Sequence, residues 1–231
     1  LQASCDWRIL SYLSAPVSQG TCGSCWAVTC ASALRDRINI AHGQHVCPSL
    51  SAQYLLDCAK GCISYNGQIA CSEACDGGFL AAGLAFLRFV GVPAEKDLPY
   101  KGCAGGVCTR KGPKCPGVPP YVYKCDTFYH VSIYDSFAQI NTGRNDVVLT
   151  PEQKRLNAEN IMRELCERGP VCTVFNLFSD FDDYWDNAQA DDVYQVGWRL
   201  TDVSERAQLG GAAEQQLGSM AWTAEHPGPR G

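Results

Sequence analysis

A chain of 231 residues that is 46% hydrophobic is long enough for one large domain or for two lobes sharing an interface, and too apolar to be disordered. Its net charge of −5, with Lys and Arg scattered and no basic run, argues against a nucleic-acid partner. No apolar stretch reaches the roughly 18 residues of a membrane span; the nearest, 79–90, holds Gly83 and Arg88 and reads as a buried helix.

The first half of the chain is predicted helical. Residues 24–40 set Ala27, Ala31, Leu34 and Ile38 at helical spacing, with a stop near Gly43. Ser49 or Ser51 is placed to cap a short helix through Tyr54, Leu55 and Cys58. Gly77-Gly78 opens a third helix over 79–90, which Gly91 closes. Residues 101–125 read as a loop held by cysteines, because Cys103, Cys108, Cys115 and Cys125 stand among prolines with sparse apolar anchors. The second half changes character: 121–133 and 171–178 have strand composition. Between them Thr150-Pro151-Glu152-Gln153 is a capping box with Pro at the first helical position, predicting a helix, with a break allowed, that ends at Arg168 before Gly169-Pro170. The composition shift predicts a helical lobe over 1–125 and a β-rich lobe over 126–231. After Tyr194, residues 195–231 are dominated by Gly, Ala, Gln and Glu, and the alternating apolar pattern stops.

Fifteen cysteines point to an oxidising history, secretory or endolysosomal. The count is odd, and one free thiol with seven pairs is the simplest arithmetic. The opening Leu1-Gln-Ala-Ser-Cys-Asp6-Trp7-Arg8 reads as a processed start, no signal peptide is visible, and no Asn-x-Ser/Thr sequon occurs.

The segment Gln19-Gly-Thr-Cys22-Gly-Ser-Cys25-Trp26 carries the chemistry. It sets a cysteine at the start of a predicted helix, where the positive end of the helix dipole favours the thiolate that attacks a carbonyl. The tetrahedral oxyanion then needs donors, and the Cys25 backbone N–H with the Gln19 side-chain amide supplies two if the turn folds back. Cys22 and Cys25 are also a C-x-x-C pair, which reads alternatively as a redox disulfide or as half of a zinc site. A redox motif should follow a strand in a βαβ unit, and that pattern is missing here. Zinc stays open because Cys58 and Cys62, or Cys71 and Cys75, come close to a second ligand pair.

With these residues in place the chain resembles the papain family of cysteine peptidases, and within it the cathepsin B-like branch. The resemblance runs from Leu1 to about Tyr194 and rests on several motifs in one order. They are Asp6-Trp7-Arg8, Gln19 to Ala27, Leu50-Ser-Ala-Gln-Tyr-Leu-Leu-Asp57-Cys58, Cys75-Asp-Gly-Gly78, Leu98-Pro-Tyr100, Asn160-Ile-Met-Arg-Glu-Leu with Gly169-Pro-Val171, Ser179-Asp-Phe-Asp-Asp-Tyr184 and Asp192-Val-Tyr194. It implies an α+β fold of two lobes with substrate in the cleft, Cys25 as nucleophile and Gln19 as oxyanion donor. Gly77 and Gly78 match the stretch that pairs with substrate backbone, for which glycine suits close main-chain approach; on residues alone the second reading is a helix-start turn. The resemblance also implies a Cys22–Cys75 disulfide, no cofactor or metal, a peptide or protein substrate, a propeptide or cystatin-like inhibitor as partner, and a lysosomal, vacuolar or extracellular location. The cysteine-rich stretch 101–125 lies where cathepsin B-like enzymes carry a loop with a His-His pair for dipeptide release, but it has no histidine, which favours endopeptidase action.

The family pattern then breaks. It calls for Gly-His-Ala before an apolar strand and later Asn-Ser-Trp-Gly, the histidine exchanging the thiol proton and the asparagine orienting its ring. Leu209-Gly210-Gly211 resembles the residues before that histidine, but Ala212 stands in its place, and no Asn follows Asn187. His42 and His45 come too early, His130 lies in a strand-like run, and His226 sits in a turn-rich tail. Three readings follow, in this order: a terminal segment foreign to the family that leaves the β-rich lobe incomplete, a catalytically silent papain-fold binding protein, and a substitute histidine, His226 ahead of His130.

Overall fold

A computed structural model describes residues 5–65, 68–102, 115–131, 149–174, 181, 184 and 218–223. Within them three helices form an apolar body. Helix α1, Cys25–His42, buries one face through Trp26, Ala27, Cys30, Ala31, Leu34 and Ile38. It stops where Gly43 turns left-handed at φ 62° and its N–H reaches the carbonyls of Asn39 and Ile40. Helix α2, Ala52–Cys58, starts at Ser51, whose hydroxyl accepts from the Tyr54 N–H at 3.0 Å. Helix α3, Leu80–Phe89, packs on α1 at Gly83, where an added Cβ would stand 2.9 Å from the Cys30 Sγ.

The buried Asn39 amide donates to the Tyr12 and Cys47 carbonyls and accepts from the Val46 and Cys47 N–H groups, fixing the loop beyond α1. A hairpin, β1 (Gly61–Tyr65) with β2 (Gln68–Ser72), follows α2; Cys62 and Cys71 face each other across it and are disulfide-bonded. Its strands are short, and the sequence pattern did not announce them.

The second region is a helix beside a small sheet. Helix α4, Pro151–Arg168, begins with the capping box, the Thr150 hydroxyl accepting from the Gln153 N–H and the Gln153 side chain accepting from the Thr150 N–H. It runs without a break to Gly169. The sheet has the antiparallel order β3-β5-β4, with β3 at Thr127–His130, β4 at Cys172–Val174 and β5 at Gly218–Thr223. Within the described residues, β3 and β4 lie inside the 121–133 and 171–178 stretches whose composition announced strands. Strand β5 comes from the segment whose pattern looked least strand-like, and it lies in the centre of the three.

The cysteine arithmetic needs correcting. Among the described residues four disulfides form, Cys5–Cys166, Cys22–Cys75, Cys58–Cys115 and Cys62–Cys71, and five thiols are free: Cys25, Cys30, Cys47, Cys125 and Cys172. Four of the five are buried and serve as small apolar side chains, Cys30 and Cys47 in the helical body, Cys125 just before β3 and Cys172 at the start of β4. Burial pushes the Cys47 and Cys125 thiols up to about 12, so they stay protonated and unreactive.

Candidate active site

Cys25 is the first residue of α1, and of the five free thiols it alone is exposed. In the first turn of a helix the backbone N–H has no intrahelical acceptor, so the Cys25 amide is open to an incoming oxyanion. The alternative uses of the Cys22/Cys25 pair are closed by bonding: Cys22 is joined to Cys75, not to Cys25. The cysteines that would complete a zinc site, Cys58, Cys62, Cys71 and Cys75, are all in disulfides, with no thiolate to offer a metal.

The Gly77-Gly78 segment is locked to the start of α1 and the turn before it by four contacts. These are the Cys22–Cys75 disulfide, the Gly23 N–H on the Cys75 carbonyl at 2.8 Å, the Trp26 indole N–H on the Ala74 carbonyl at 3.1 Å, and Gly78 lying on the Trp26 ring. A Cβ at Gly78 would come within 2.7 Å of that ring, so no larger residue fits. Gly77 meets nothing within 4 Å and is needed instead for its φ of 113°. Gly78 is nevertheless exposed, which leaves a side-chain-free main chain facing solvent one residue before the N-cap of α3.

Gln19 sits half-buried in the turn before Cys22. Its carbonyl accepts from the Tyr100 hydroxyl at 2.9 Å and from the Cys22 N–H at 3.4 Å. The Tyr100 hydroxyl also shares a hydrogen bond of 2.5 Å with the hydroxyl of Ser24, the N-cap residue of α1, so that Ser24 makes no side-chain cap bond of its own. One phenol therefore ties the turn carrying Gln19 to the residue before Cys25. Tyr100 is itself held: its N–H donates to Glu95 at 2.5 Å, and the next two amides donate to Gln53 of α2, whose side-chain NH2 bonds Asp57. Sequence reasoning marked Leu98-Pro-Tyr100 as a motif but assigned Tyr100 no role, because its partners lie 76 and 81 residues away.

His42 ends α1, the opposite end from Cys25, about 25 Å along an 18-residue helix. His45 follows in the loop beyond. His130 closes β3 opposite Met220 of β5. His226 and Ala212 lie outside the described residues.

Residues 1–198 match the family described as papain family cysteine protease, and the chain belongs to that family. It is 36% identical over 104 residues to a protein named probable cysteine protease RD19B of Arabidopsis thaliana, covering 45% of this chain and 28% of that protein. It is 29% identical over 168 residues to cathepsin B-like CP3 of Giardia intestinalis, covering 71% of this chain and 45% of that one. The chain thus spans less than half the length of either relative. A crystal structure of the Carica candamarcensis cysteine protease CMS1MS2 in complex with E-64 aligns at 28% identity and a TM-score of 0.40, covering 62% of this chain and 58% of that one. The α+β architecture agrees with this membership.

Proposed function

We propose that the chain carries the chemistry of a cysteine peptidase at Cys25. The observation that carries the reading is an exposed free thiol at a helix N-terminus, whose neighbours Cys22, Gly23 and Trp26 are tied by a disulfide and three further contacts to a glycine segment open to solvent. A peptide laid along Gly77 and Gly78 pairs through its main chain and brings its carbonyl carbon to the Cys25 sulfur. The thiolate adds to that carbon, and the Cys25 N–H with the Gln19 amide receives the oxyanion. The amine then leaves with the proton that the Cys25 thiol gave up, carried by a general base not among the assigned residues, and water cleaves the thioester to a carboxylic acid while its other proton restores the thiol. Endopeptidase action and a place in the cathepsin B-like branch are the finer parts of this reading. The first rests on the lack of histidine in 101–125, the second on the order of motifs and the length of the match to the Giardia protein. Four disulfides favour an oxidising compartment, secretory, lysosomal, vacuolar or extracellular. A propeptide or a cystatin-like inhibitor is the partner proposed to share the cleft.

The second reading is a silent papain-fold binding protein. It is favoured by the place of His42 at the far end of α1 and by Ala212 where the family carries its histidine. The two readings separate in the rate of Cys25 alkylation by iodoacetamide against pH, with peptide mapping of the modified site. Fast labelling that persists below pH 6 requires a thiolate stabilised by a cationic partner, and supports the peptidase. Labelling that rises only toward about pH 8.5, as for a free thiol, supports the silent protein.

A further inference from the structure

The segments that carry the two oxyanion donors, the Cys25 N–H and the Gln19 amide, meet at one atom, the Tyr100 phenol oxygen. It lies 2.9 Å from the Gln19 carbonyl and 2.5 Å from the Ser24 hydroxyl. A carbonyl only accepts, so the single phenol proton goes to Gln19, and Ser24 gives its own proton to the phenol oxygen. The result is a directed chain from the Ser24 hydroxyl through the phenol to the Gln19 carbonyl. Ser24 is 0% exposed, so its hydroxyl has no bulk water as an alternative partner.

The two ends of this chain are held unequally. The Ser24 carbonyl, part of the peptide bond that bears the Cys25 N–H, accepts from the Ala27 and Val28 N–H groups at 2.9 and 3.0 Å, so this donor is fixed by the helix. The Gln19 carbonyl otherwise accepts only a longer bond from the Cys22 N–H at 3.4 Å. Beside it Gly20 turns left-handed at φ 60° with open space where a Cβ would stand, so packing does nothing to hold the turn at that residue. Gly102 backs the phenol: at φ 53°, an added Cβ there would stand 3.3 Å from the phenol oxygen and 3.5 Å from the Cys22 Cβ.

We propose that Tyr100 is a positioning residue of the oxyanion site, acting through the Gln19 main chain to set where the Gln19 amide stands relative to the Cys25 N–H. This rests on the peptidase reading, in which those two groups receive the oxyanion. An oxyanion donor is effective when it is fixed before the charge develops, and a donor on a loosened turn forfeits that advantage. The Gly77-Gly78 segment has its own ties to Cys22, Gly23 and Trp26, so peptide binding there is expected to survive loss of the phenol.

The test compares acetyl-leucyl-leucyl-glycinal with the matching glycinol on the full, disulfide-intact chain. The aldehyde adds the Cys25 thiol: the S–C bond forms, the C=O π bond opens, and the thiol proton ends on the hemithioacetal oxygen, which then lies in the oxyanion site. The glycinol occupies the same cleft without adding. Affinities are read as protection of Cys25 from iodoacetamide at about pH 8.5, where an ordinary free thiol labels. Tyr100→Phe is expected to weaken the aldehyde about tenfold or more, short of the roughly 10²–10³ in rate that loss of a whole donor costs. Its affinity for the glycinol, which also reports an intact fold, is expected to stay within about twofold, the range in which independent effects are indistinguishable. Ser24→Ala breaks the chain from its other end, leaves no buried hydroxyl unpaired, and is expected to weaken the aldehyde in the same sense. Gln19→Ala is expected to weaken the aldehyde at least as much as Tyr100→Phe, and the double variant to be no weaker than Gln19→Ala alone, because the phenol acts through Gln19. Unchanged aldehyde affinity in Tyr100→Phe, equal losses on aldehyde and glycinol, or additive losses in the double variant overturn the proposal and leave the peptidase reading standing. An aldehyde that does not protect the wild type, or that Gln19→Ala leaves unchanged, overturns the oxyanion assignment and the proposal together.

Discussion

At the scale of single residues, the site depends on side chains whose neighbours are distant in sequence. Tyr100→Phe deletes the hydroxyl that bonds both Gln19 and Ser24 while keeping the ring. It is expected to cost about 1–3 kcal/mol for two hydrogen bonds, read by denaturant unfolding, and to slow Cys25 alkylation at low pH because the helix start loosens. Asp57 offers a different test. Burial raises its carboxyl above the ordinary value, partly offset by the bond from Gln53 and by Lys60 and Lys101. A carboxyl whose folded pKa lies above its unfolded one stabilises the fold while protonated, and that contribution is lost as pH rises through the folded value. Asp57→Asn keeps an acceptor for Gln53 and removes the ionisation. Its melting temperature relative to wild type is therefore expected to rise from pH 4 to pH 7; a gap that stays flat or shrinks across that window contradicts the burial argument.

At the scale of elements, the junction between α1 and α4 is the most exacting. Arg37 is 2% exposed and pairs with Glu164 at 2.8 Å, while its Nε donates to the Pro170 carbonyl at 2.7 Å. Glu164 also accepts from the Tyr129 hydroxyl of β3 at 2.7 Å, so one carboxylate gathers two helices and a strand. Gly169 fits here because its added Cβ would stand 2.7 Å from Ile40 of α1. Arg37→Met leaves Glu164 buried beside Tyr129 without its nearest cation and is expected to destabilise by about 3–5 kcal/mol. The double variant Arg37→Met with Glu164→Gln is expected to recover part of that loss, since the stranded charge is gone; urea unfolding of the two variants distinguishes them. The ends of α4, by contrast, were readable locally. The Thr150 capping box and the Gly169 stop involve residues within a few positions of each other, and both formed where the motif stood.

At the scale of the whole molecule, the chain is closed by the Cys5–Cys166 disulfide, which spans 161 residues, and by the Trp7 indole N–H on the Leu165 carbonyl at 2.5 Å. Both join the start of the described chain to the last turn of α4. In the chain-entropy account, a cross-link over so long a loop stabilises by up to about 5 kcal/mol. Cys5→Ser with Cys166→Ser is expected to lower the melting temperature by more than removal of the nine-residue-separated Cys62–Cys71 pair, measured by calorimetry without reductant. Local order was legible in the sequence by itself: three helices of the first half, the α4 caps, and a nucleophile motif whose spacing named a reaction and a family. These features depend on neighbours within a turn or two, where side-chain periodicity and capping chemistry act directly. Which cysteines pair, why four others stay reduced in the interior, and how Tyr100 reaches Gln19 and Ser24 were decided only by tertiary structure. So was the central place of β5, whose composition announced no strand but whose backbone amides and carbonyls complete the ladders of β3 and β4. The physical reason is common to all of these: each is a meeting of groups far apart along the chain, set by packing and hydrogen-bond satisfaction rather than by local propensity.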